Sequence, residues 1–583
     1  MSLTLQQKVW SATSGAVVAF AACVQLKREI WTSTSALVDA TPAPPPAAPQ
    51  LPEPETLLSP DSKRLAGRRW NSASSFPICL SAVGKEGMSL LFSSSIPLMR
   101  VVSPADVDQS LRLRLAPSVV RKRALLATLP VRKSSIRPTT RSRRASLRVL
   151  ISSTPEFGAE EIPKAPIYLP AGAWEHVAGG VNAAKGFSAA GISAGLRSSP
   201  GRPDLALVVS DTEATAAGCF TQNMVCAAPV TFCKQVLAEH DTVRAVLVNA
   251  GQANAATGEK GWEDSVRSAE VVAGALNLDP SAILLLSTGV IGQRIKMDEM
   301  IKSIPALVDG LGADHDSALN AATAITTTDL ASKSAALKLT IGGKEVHIGG
   351  MTKGSGMIHP NMATMLGIIT CDAVIAPDVW RNLLKTAVQK SFNQITVDGD
   401  TSTNDTVLGL ANGAAGNACI TSTDCVDAVA LGDALTALCQ ALAKCIAWDG
   451  EGATCLLEVT VEGTSSNHEA LSIAKSICGS HLTKAAVFGG DPNWGRIAAA
   501  AGYAGVEFDQ RNLTILLGGT KLMEGGQPLD FDAKAASAYL KAAGKTHDTV
   551  NVQVCVGDGA GFGMAWGCDL SYDYVKINAE YHT

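Results

Sequence analysis

The feature that most constrains the fold is an alternation of short apolar runs with longer amphipathic segments, which continues from about residue 162 to the end of the chain. Ala245–Asn249 and Ala282–Leu286 have the composition of buried strands, and Trp262–Leu276 between them has apolar residues at helical spacing. Such an alternation predicts a layered α/β protein. Further predicted helices are Met297–Leu311, Ser317–Ile325, Asp378–Lys390, Asp424–Ile446 and Glu469–Ile477, and further predicted strands are Leu337–Ile341, Val346–Ile348, Thr454–Val461 and Val550–Val556.

The first 160 residues differ from the rest of the chain. They are rich in Pro, Ser and Arg, and Leu111–Leu150 contains twelve Arg or Lys residues without an Asp or Glu. This composition is typical of an organelle transit peptide, which we place at residues 88–150 because Met88 begins a Ser-rich apolar stretch. We therefore expect 1–160 to be a largely disordered targeting and extension segment, in which 1–87 is either a native extension or an artefact of the gene model. A basic arm for nucleic acid is the alternative, but no aromatic residues interleave the charges.

Charge and cysteine content argue against a nucleic-acid-binding protein and against a metal-binding protein. The net charge of −4 gives no support for a nucleic-acid partner. The fourteen cysteines include no C-x-x-C pair, so we interpret them as reduced thiols and expect no metal site.

A glycine-rich segment, Gly349–Gly367, leads into the apolar run Ile368–Cys371 and contains the candidate nucleophile Thr364. A Thr hydroxyl is a weak nucleophile unless a base lies beside it. Cleavage of the bond between Ala363 and Thr364 would supply one, because an α-amine with a pKa of ~7.7–8.0 is partly neutral near pH 7. No histidine-based triad is then required. The alternative is that this Thr belongs to an ordinary buried strand.

The segment Lys353–Gly367 resembles the self-cleavage segment of the ornithine acetyltransferases, also called glutamate N-acetyltransferases. The likeness extends over about Lys164–Thr583. The other matching segments are Val248–Ala255, Ser287–Gly292, Thr327–Asp329, Asp449–Thr454, Gly490–Arg496 and Lys576–Thr583, in the family's order.

The resemblance implies a layered αββα fold and a precursor that cuts itself into an α chain, 161–363, and a β chain, 364–583, which assemble as an α2β2 heterotetramer. It also implies a ping-pong reaction in which Thr364 takes the acetyl group from N2-acetylornithine and passes it to glutamate. Acetyl-CoA is a possible co-substrate, and no tightly bound cofactor or membrane partner is expected. The transit peptide then indicates the chloroplast stroma, with the mitochondrion as the alternative.

Roles for single residues follow from the same resemblance. Thr288 and Gly289 match the family's oxyanion hole, and Lys353 matches a lysine that binds the substrate carboxylate. The remaining expected substrate contacts are Thr327 (with Thr326 and Thr328 as alternatives), Glu451, Asn578 and Thr583.

Two other functions are compatible with these residues. A related self-processing aminopeptidase would pass the acyl group to water, and a non-catalytic binding protein would not cut itself. Gly557–Gly563 follows a strand, as a dinucleotide loop would, but Met564–Asn578 has the composition of a strand and not of the required helix, so we predict a glycine-rich turn.

Overall fold

The computed structural model describes residues 162–198, 202–359 and 365–580. The predicted extension, 1–160, lies outside the described residues. The strands are β1 Glu175–Val177, β2 Phe187–Ile192, β3 Leu205–Phe220, β4 Thr242–Asn249, β5 Ile283–Ser287, β6 Lys333–Ile341, β7 Lys344–Lys353, β8 Leu366–Cys371, β9 Thr406–Ala411, β10 Leu456–Gly463, β11 Thr514–Leu517, β12 Thr520–Glu524, β13 Gln527–Pro528, β14 Thr549–Cys555 and β15 Gly559–Cys568. The helices are α1 Ala228–Glu239, α2 Gly258–Leu276, α3 Met297–Asp309, α4 His315–Ala324, α5 Pro377–Gln389, α6 Val426–Trp448, α7 Asn467–Gly479, α8 His481–Gly489, α9 Trp494–Gly502, α10 Ala533–Thr546 and α11 Tyr572–Glu580.

The larger of two sheets has the strand order β1-β6-β7-β8-β9-β3-β4-β5, and β2 pairs with β3. Strand β3 belongs to both halves of this sheet. Its first part pairs with β2 and β4, its second part pairs mainly with β9, and its register with β4 shifts between Val209 and Ala214. Pairs β4/β5 and β8/β9 are parallel. The α/β class predicted from the sequence is therefore confirmed.

Strand β8 separates two cores. Leu366 and Ile368 join the core that contains the side chains of β2–β5. Ile369 and Cys371, which point to the opposite face, join the core under helices α5 and α6. Helices α1 and α2 cover β5 on the other side of the first core. Helices therefore pack against both cores, one on each face of the larger sheet, as the expected αββα layering requires.

The smaller sheet has the order β13-β12-β11-β14-β10-β15, and helices α7, α9 and α10 pack on it. Helix α6 contacts both sheets. Among the described residues, α6 is the helix that is long and apolar enough to cross a membrane, and 61% of its most apolar window is buried inside the fold.

The predicted β6–β7 hairpin is present, and Gly342 and Gly343 at its turn both have positive φ angles. One prediction was wrong in part. Met564–Asn578 was expected to be a strand, but β15 ends at Cys568 and α11 begins at Tyr572. The glycine-rich turn expected at 557–563 is short, because β15 already begins at Gly559.

Candidate active site

The predicted site residues come together around one cavity of about 110 Å3. It lies where β5 and β7 end and β8 and β9 begin, so that residues from both sides of the predicted cleavage bond form its wall. Ala363, Thr364 and Thr583 lie outside the described residues, and their roles remain predictions. The expected site residues that line the cavity are Thr288, Gly289, Thr327, Lys353, Glu451 and Asn578.

Lys353 is the last residue of β7 and is held in the wall by its pairing with Leu366 of β8. Its ammonium donates to the Thr288 hydroxyl over 3.3 Å. Burial lowers the pKa of Lys353, although Asp329 partly opposes that effect. Among the described residues, the Thr288 hydroxyl is the one hydrogen-bond partner of this ammonium. A buried ammonium with only a neutral partner can bind the carboxylate of a ligand.

Gly289 follows the end of β5 and has a φ of +121°, a conformation that side chains rarely adopt. A Cβ at this position would lie 2.4 Å from the backbone oxygen of Gly251. Only glycine therefore fits, and the backbone at 288–289 is fixed against a neighbouring loop. Rigid backbone donors of this kind are suited to stabilising an oxyanion.

Glu451 forms the opposite wall. Its carboxylate accepts a hydrogen bond of 2.8 Å from Nδ2 of Asn578, which lies in the C-terminal helix α11. The Glu451 N–H donates to the carbonyl of Ser355 over 3.0 Å. A Cβ on Gly356 would lie 2.4 Å from the same carboxylate, so the glycine makes room for Glu451 to reach the cavity.

A buried ion cluster lies next to the cavity wall that contains Lys353. Lys333 donates to Asp329 over 2.6 Å and to Asp449 over 2.5 Å, and all three side chains are almost completely buried. Burial alone would raise the pKa of Asp329, but Lys333 and Lys353 outweigh this effect and lower it. Asp329 also accepts hydrogen bonds from the N–H groups of Gly354 and Thr327. The cluster thereby fixes two segments of the cavity wall.

One carboxylate helps to hold the segment that leads toward the predicted cleavage bond. Asp398 accepts from the N–H groups of Met357 and Ile358 over 2.7 and 2.9 Å. Met357 has a φ of +57°, which is uncommon for a residue with a long side chain. Within residues 354–359 the positive φ therefore falls on this methionine and not on either glycine.

Sequence reasoning missed two cavity residues that directly precede β9. Asn404 donates to the carbonyls of Ala253 and Ser287 over 2.6 and 2.8 Å, which ties the start of β9 to the end of β5. Asp405 lines the cavity and is only 2% exposed. Neither residue belongs to a local motif, and their positions follow from β8/β9 pairing, so the sequence contained no clear signal for them.

Fold and cavity together define an α/β enzyme with a buried, charged active site. Residues 188–583 match the model of the ArgJ family. A protein from Ricinus communis named "Arginine biosynthesis bifunctional protein ArgJ, chloroplastic" is 58% identical over 449 residues, covering 77% of this chain and 96% of that relative. A protein of the same name from Oryza sativa subsp. indica is 59% identical over 422 residues, covering 72% and 91%. The chain therefore belongs to the ArgJ family, as its resemblance to the ornithine acetyltransferases indicated.

Two solved structures of other proteins are similar in sequence to parts of this chain. ArgJ from Bacillus halodurans is 45% identical, with a TM-score of 0.35, and the match covers 36% of this chain and 97% of that chain. Ornithine acetyltransferase from Mycobacterium tuberculosis, solved in complex with ornithine, is 38% identical, with a TM-score of 0.31 and coverages of 33% and 100%.

Proposed function

We propose that this protein transfers the acetyl group of N2-acetylornithine to glutamate, as an enzyme of arginine biosynthesis. The observation that carries the proposal is one cavity at the start of β8. It is lined by buried Lys353, by the carboxylate of Glu451 and by the rigid backbone at 288–289 after β5. Relatives that match over most of their length are named as bifunctional proteins of arginine biosynthesis, which supports the same activity.

Thr364 is the proposed nucleophile, and its own α-amine is the proposed base. Its hydroxyl attacks the acetyl carbonyl, and Thr288 and Gly289 stabilise the oxyanion that forms. Lys353 binds the carboxylate that ornithine and glutamate share, and Glu451 binds an ammonium group. Thr327, Asn578 and Thr583 complete the proposed substrate contacts.

Self-cleavage between Ala363 and Thr364 would leave an α chain, 161–363, and a β chain, 364–583. The strand order supports their remaining together. Strands β8 and β9 of the β chain lie between β7 and β3 of the α chain in one continuous sheet. Separation would break both rows of hydrogen bonds and expose the cores on each face of β8. We propose that two such αβ units form the tetramer.

Acetyl-CoA is a proposed second acetyl donor. The support is that the relatives from Ricinus communis and Oryza sativa are named bifunctional. A thioester can load Thr364 by the same attack, and no tightly bound cofactor is needed for either reaction. Incubation with acetyl-CoA and glutamate is expected to yield N-acetylglutamate.

The proposed location is the chloroplast stroma. The acid-free basic stretch within residues 88–150 supports it, and the relatives' names include the word chloroplastic. Import into isolated plastids should shorten the chain by most of residues 1–150. Import into mitochondria instead would contradict this location.

The deciding experiment combines N2-acetylornithine with isotopically labelled glutamate and detects labelled N-acetylglutamate by mass spectrometry. Free acetate without that product would indicate a hydrolase. Thr364→Ala is expected to remain one uncut chain by intact mass and to be inactive. An uncut variant that still transfers acetyl groups would refute the role of Thr364.

A further inference from the structure

Asp405 is a buried acid that faces the cavity and has no assigned role. It directly precedes β9, and the residue is 2% exposed. Its Oδ2 atom is buried and has no hydrogen-bond partner among the described residues. A buried polar atom without a partner costs about 1–3 kcal/mol, so this atom is available to a group outside the described residues.

The surroundings of Asp405 favour its neutral form. Burial raises the pKa of this carboxyl group well above its ordinary value, while a hydrogen bond with Ser402 and the charge of Lys353 oppose that shift. Among the described residues, the other titratable groups that line the cavity are Lys353 from β7 and Glu451. The carboxylate of Glu451 is already bonded to Asn578. Asp405 therefore favours keeping its proton.

Register places Asp405 close to Met365 and the start of β8. The N–H of Thr406, the next residue, donates to the carbonyl of Met365 over 2.9 Å. Met365 directly follows Thr364 in the sequence. Strands β8 and β9 run parallel from Leu366 and Thr406, so both begin at the same end of the sheet.

Acetyl transfer between amines requires a proton donor for the leaving nitrogen, and this donor can be a group other than the base that activates the nucleophile. The α-amine of Thr364 takes the hydroxyl proton when the oxygen attacks. The nitrogen of N2-acetylornithine cannot leave as an anion and must receive a proton as its bond to the acetyl carbon breaks. In the second half-reaction the attacking nitrogen of glutamate must lose one.

We propose that Asp405 carries the proton that the leaving amine receives and the attacking amine releases; this inference rests on the function proposed above. In the first half-reaction the bond from Thr364 oxygen to the acetyl carbon forms, the carbon–nitrogen bond breaks, and the Asp405 carboxyl proton passes to that nitrogen. In the second, the neutral glutamate amine attacks, its proton returns to Asp405, and Thr364 oxygen recovers its proton from its own ammonium. Free ornithine then takes up one proton from solvent and glutamate gives up one, so the protons balance.

The test varies the leaving group. p-Nitrophenyl acetate releases a phenolate that needs no proton, whereas N2-acetylornithine releases an amine. Asp405→Asn should reduce single-turnover acetylation of Thr364 by N2-acetylornithine by about 100-fold or more and leave acetylation by p-nitrophenyl acetate within about threefold of the wild-type rate. Asp405→Glu should recover part of the first rate. Asp400→Asn, an exposed carboxylate in the same loop, is the matched control and should behave as wild type.

Equal losses with both donors, or no loss with either, would overturn the role of Asp405. Intact mass first establishes that each variant has divided into two chains. If Asp405→Asn does not fold or divide, the wild-type enzyme provides the second measurement: acetylation by N2-acetylornithine should fall at high pH along a limb that p-nitrophenyl acetate lacks, and identical profiles would overturn the inference. A wild-type protein that makes no N-acetylglutamate would instead refute the proposed function.

Discussion

Replacing Lys333 with methionine would remove the one cation at the centre of the buried ion cluster. Asp329 and Asp449 would remain in the interior, where their oxygens now lie 2.6 and 2.5 Å from the Lys333 ammonium. Methionine has a similar length, so the change removes charge more than volume.

The expected loss of stability is about 3–5 kcal/mol, the range for breaking a buried ion pair by removing one partner. Gly354 would also lose a fixed acceptor if Asp329 reorients, because its N–H donates to that carboxylate over 2.8 Å. We therefore expect a lower kcat/KM for acetyl transfer together with the lower stability.

Urea unfolding followed by tryptophan fluorescence measures the change, and Lys338→Met is the matched control. Lys338 lies on the same strand, but its ion pairs with Glu175 and Glu345 are at the surface, at 3.5 and 3.4 Å. Pairs of this kind contribute about 0–1 kcal/mol. A Lys333→Met variant that is no less stable than Lys338→Met would refute the reasoning.

A triple variant separates loss of charge balance from loss of packing. Asp329→Asn and Asp449→Asn combined with Lys333→Met remove the whole set of charges. Because the cost of the single change comes from uncompensated carboxylates, the triple variant should be more stable than Lys333→Met. Additive losses would show that packing dominates.

Three further outcomes follow from the same structure. Gly356→Ala should raise the KM for N2-acetylornithine about tenfold or more, because its Cβ would lie 2.4 Å from the Glu451 carboxylate. This contact would disturb the charged hydrogen bond from Asn578 to Glu451, a kind of bond worth roughly 1.5–3 kcal/mol. An unchanged KM would contradict this prediction. Gly289→Ala should lower kcat by about 10²–10³ through loss of oxyanion stabilisation. Gly292→Ala is the control: this glycine also has a positive φ, but no atom lies within 4 Å of an added Cβ, so the change should lower stability alone. Burial lowers the pKa of His359 from 6.5 to about 4. Between these pH values the unfolded chain binds a proton that the folded chain does not, so stability should decline as the pH falls from 6.5 toward 4. Thermal unfolding measures this pH profile, and His359→Gln should flatten that part of it.

The sequence predicted elements well where side-chain spacing and turn residues agreed. The β6–β7 hairpin shows this, because apolar alternation meets two glycines at 342–343. Helix α11 shows the opposite. Its Tyr, Val and Ile residues suggested a strand, whereas Ser571 accepts from the N–H of Tyr574 over 3.2 Å and begins a helix without buried residues. A local capping signal there outweighed side-chain propensity.

The site was predictable only through resemblance to a family. Thr288, Lys353, Glu451 and Asn578 are far apart in the sequence, and no spacing rule connects them. The Asp329–Lys333–Asp449 cluster and Asp405 were given no role for a related reason: their properties depend on burial, which arises only when β6, β9 and the end of α6 pack together.

The two walls of the cavity differ in how firmly they are held. The Lys353 wall is part of a continuous sheet and is anchored by a fully buried ion cluster. The Glu451 wall is completed by Asn578, whose helix α11 contributes no buried residue to the core. Elements with few buried contacts open at lower free energy than core strands. In the proposed function Lys353 binds the substrate carboxylate on the rigid wall, where a displaced charge would be costly. We propose that the wall that includes Asn578 is the one that yields while ornithine leaves and glutamate takes its place.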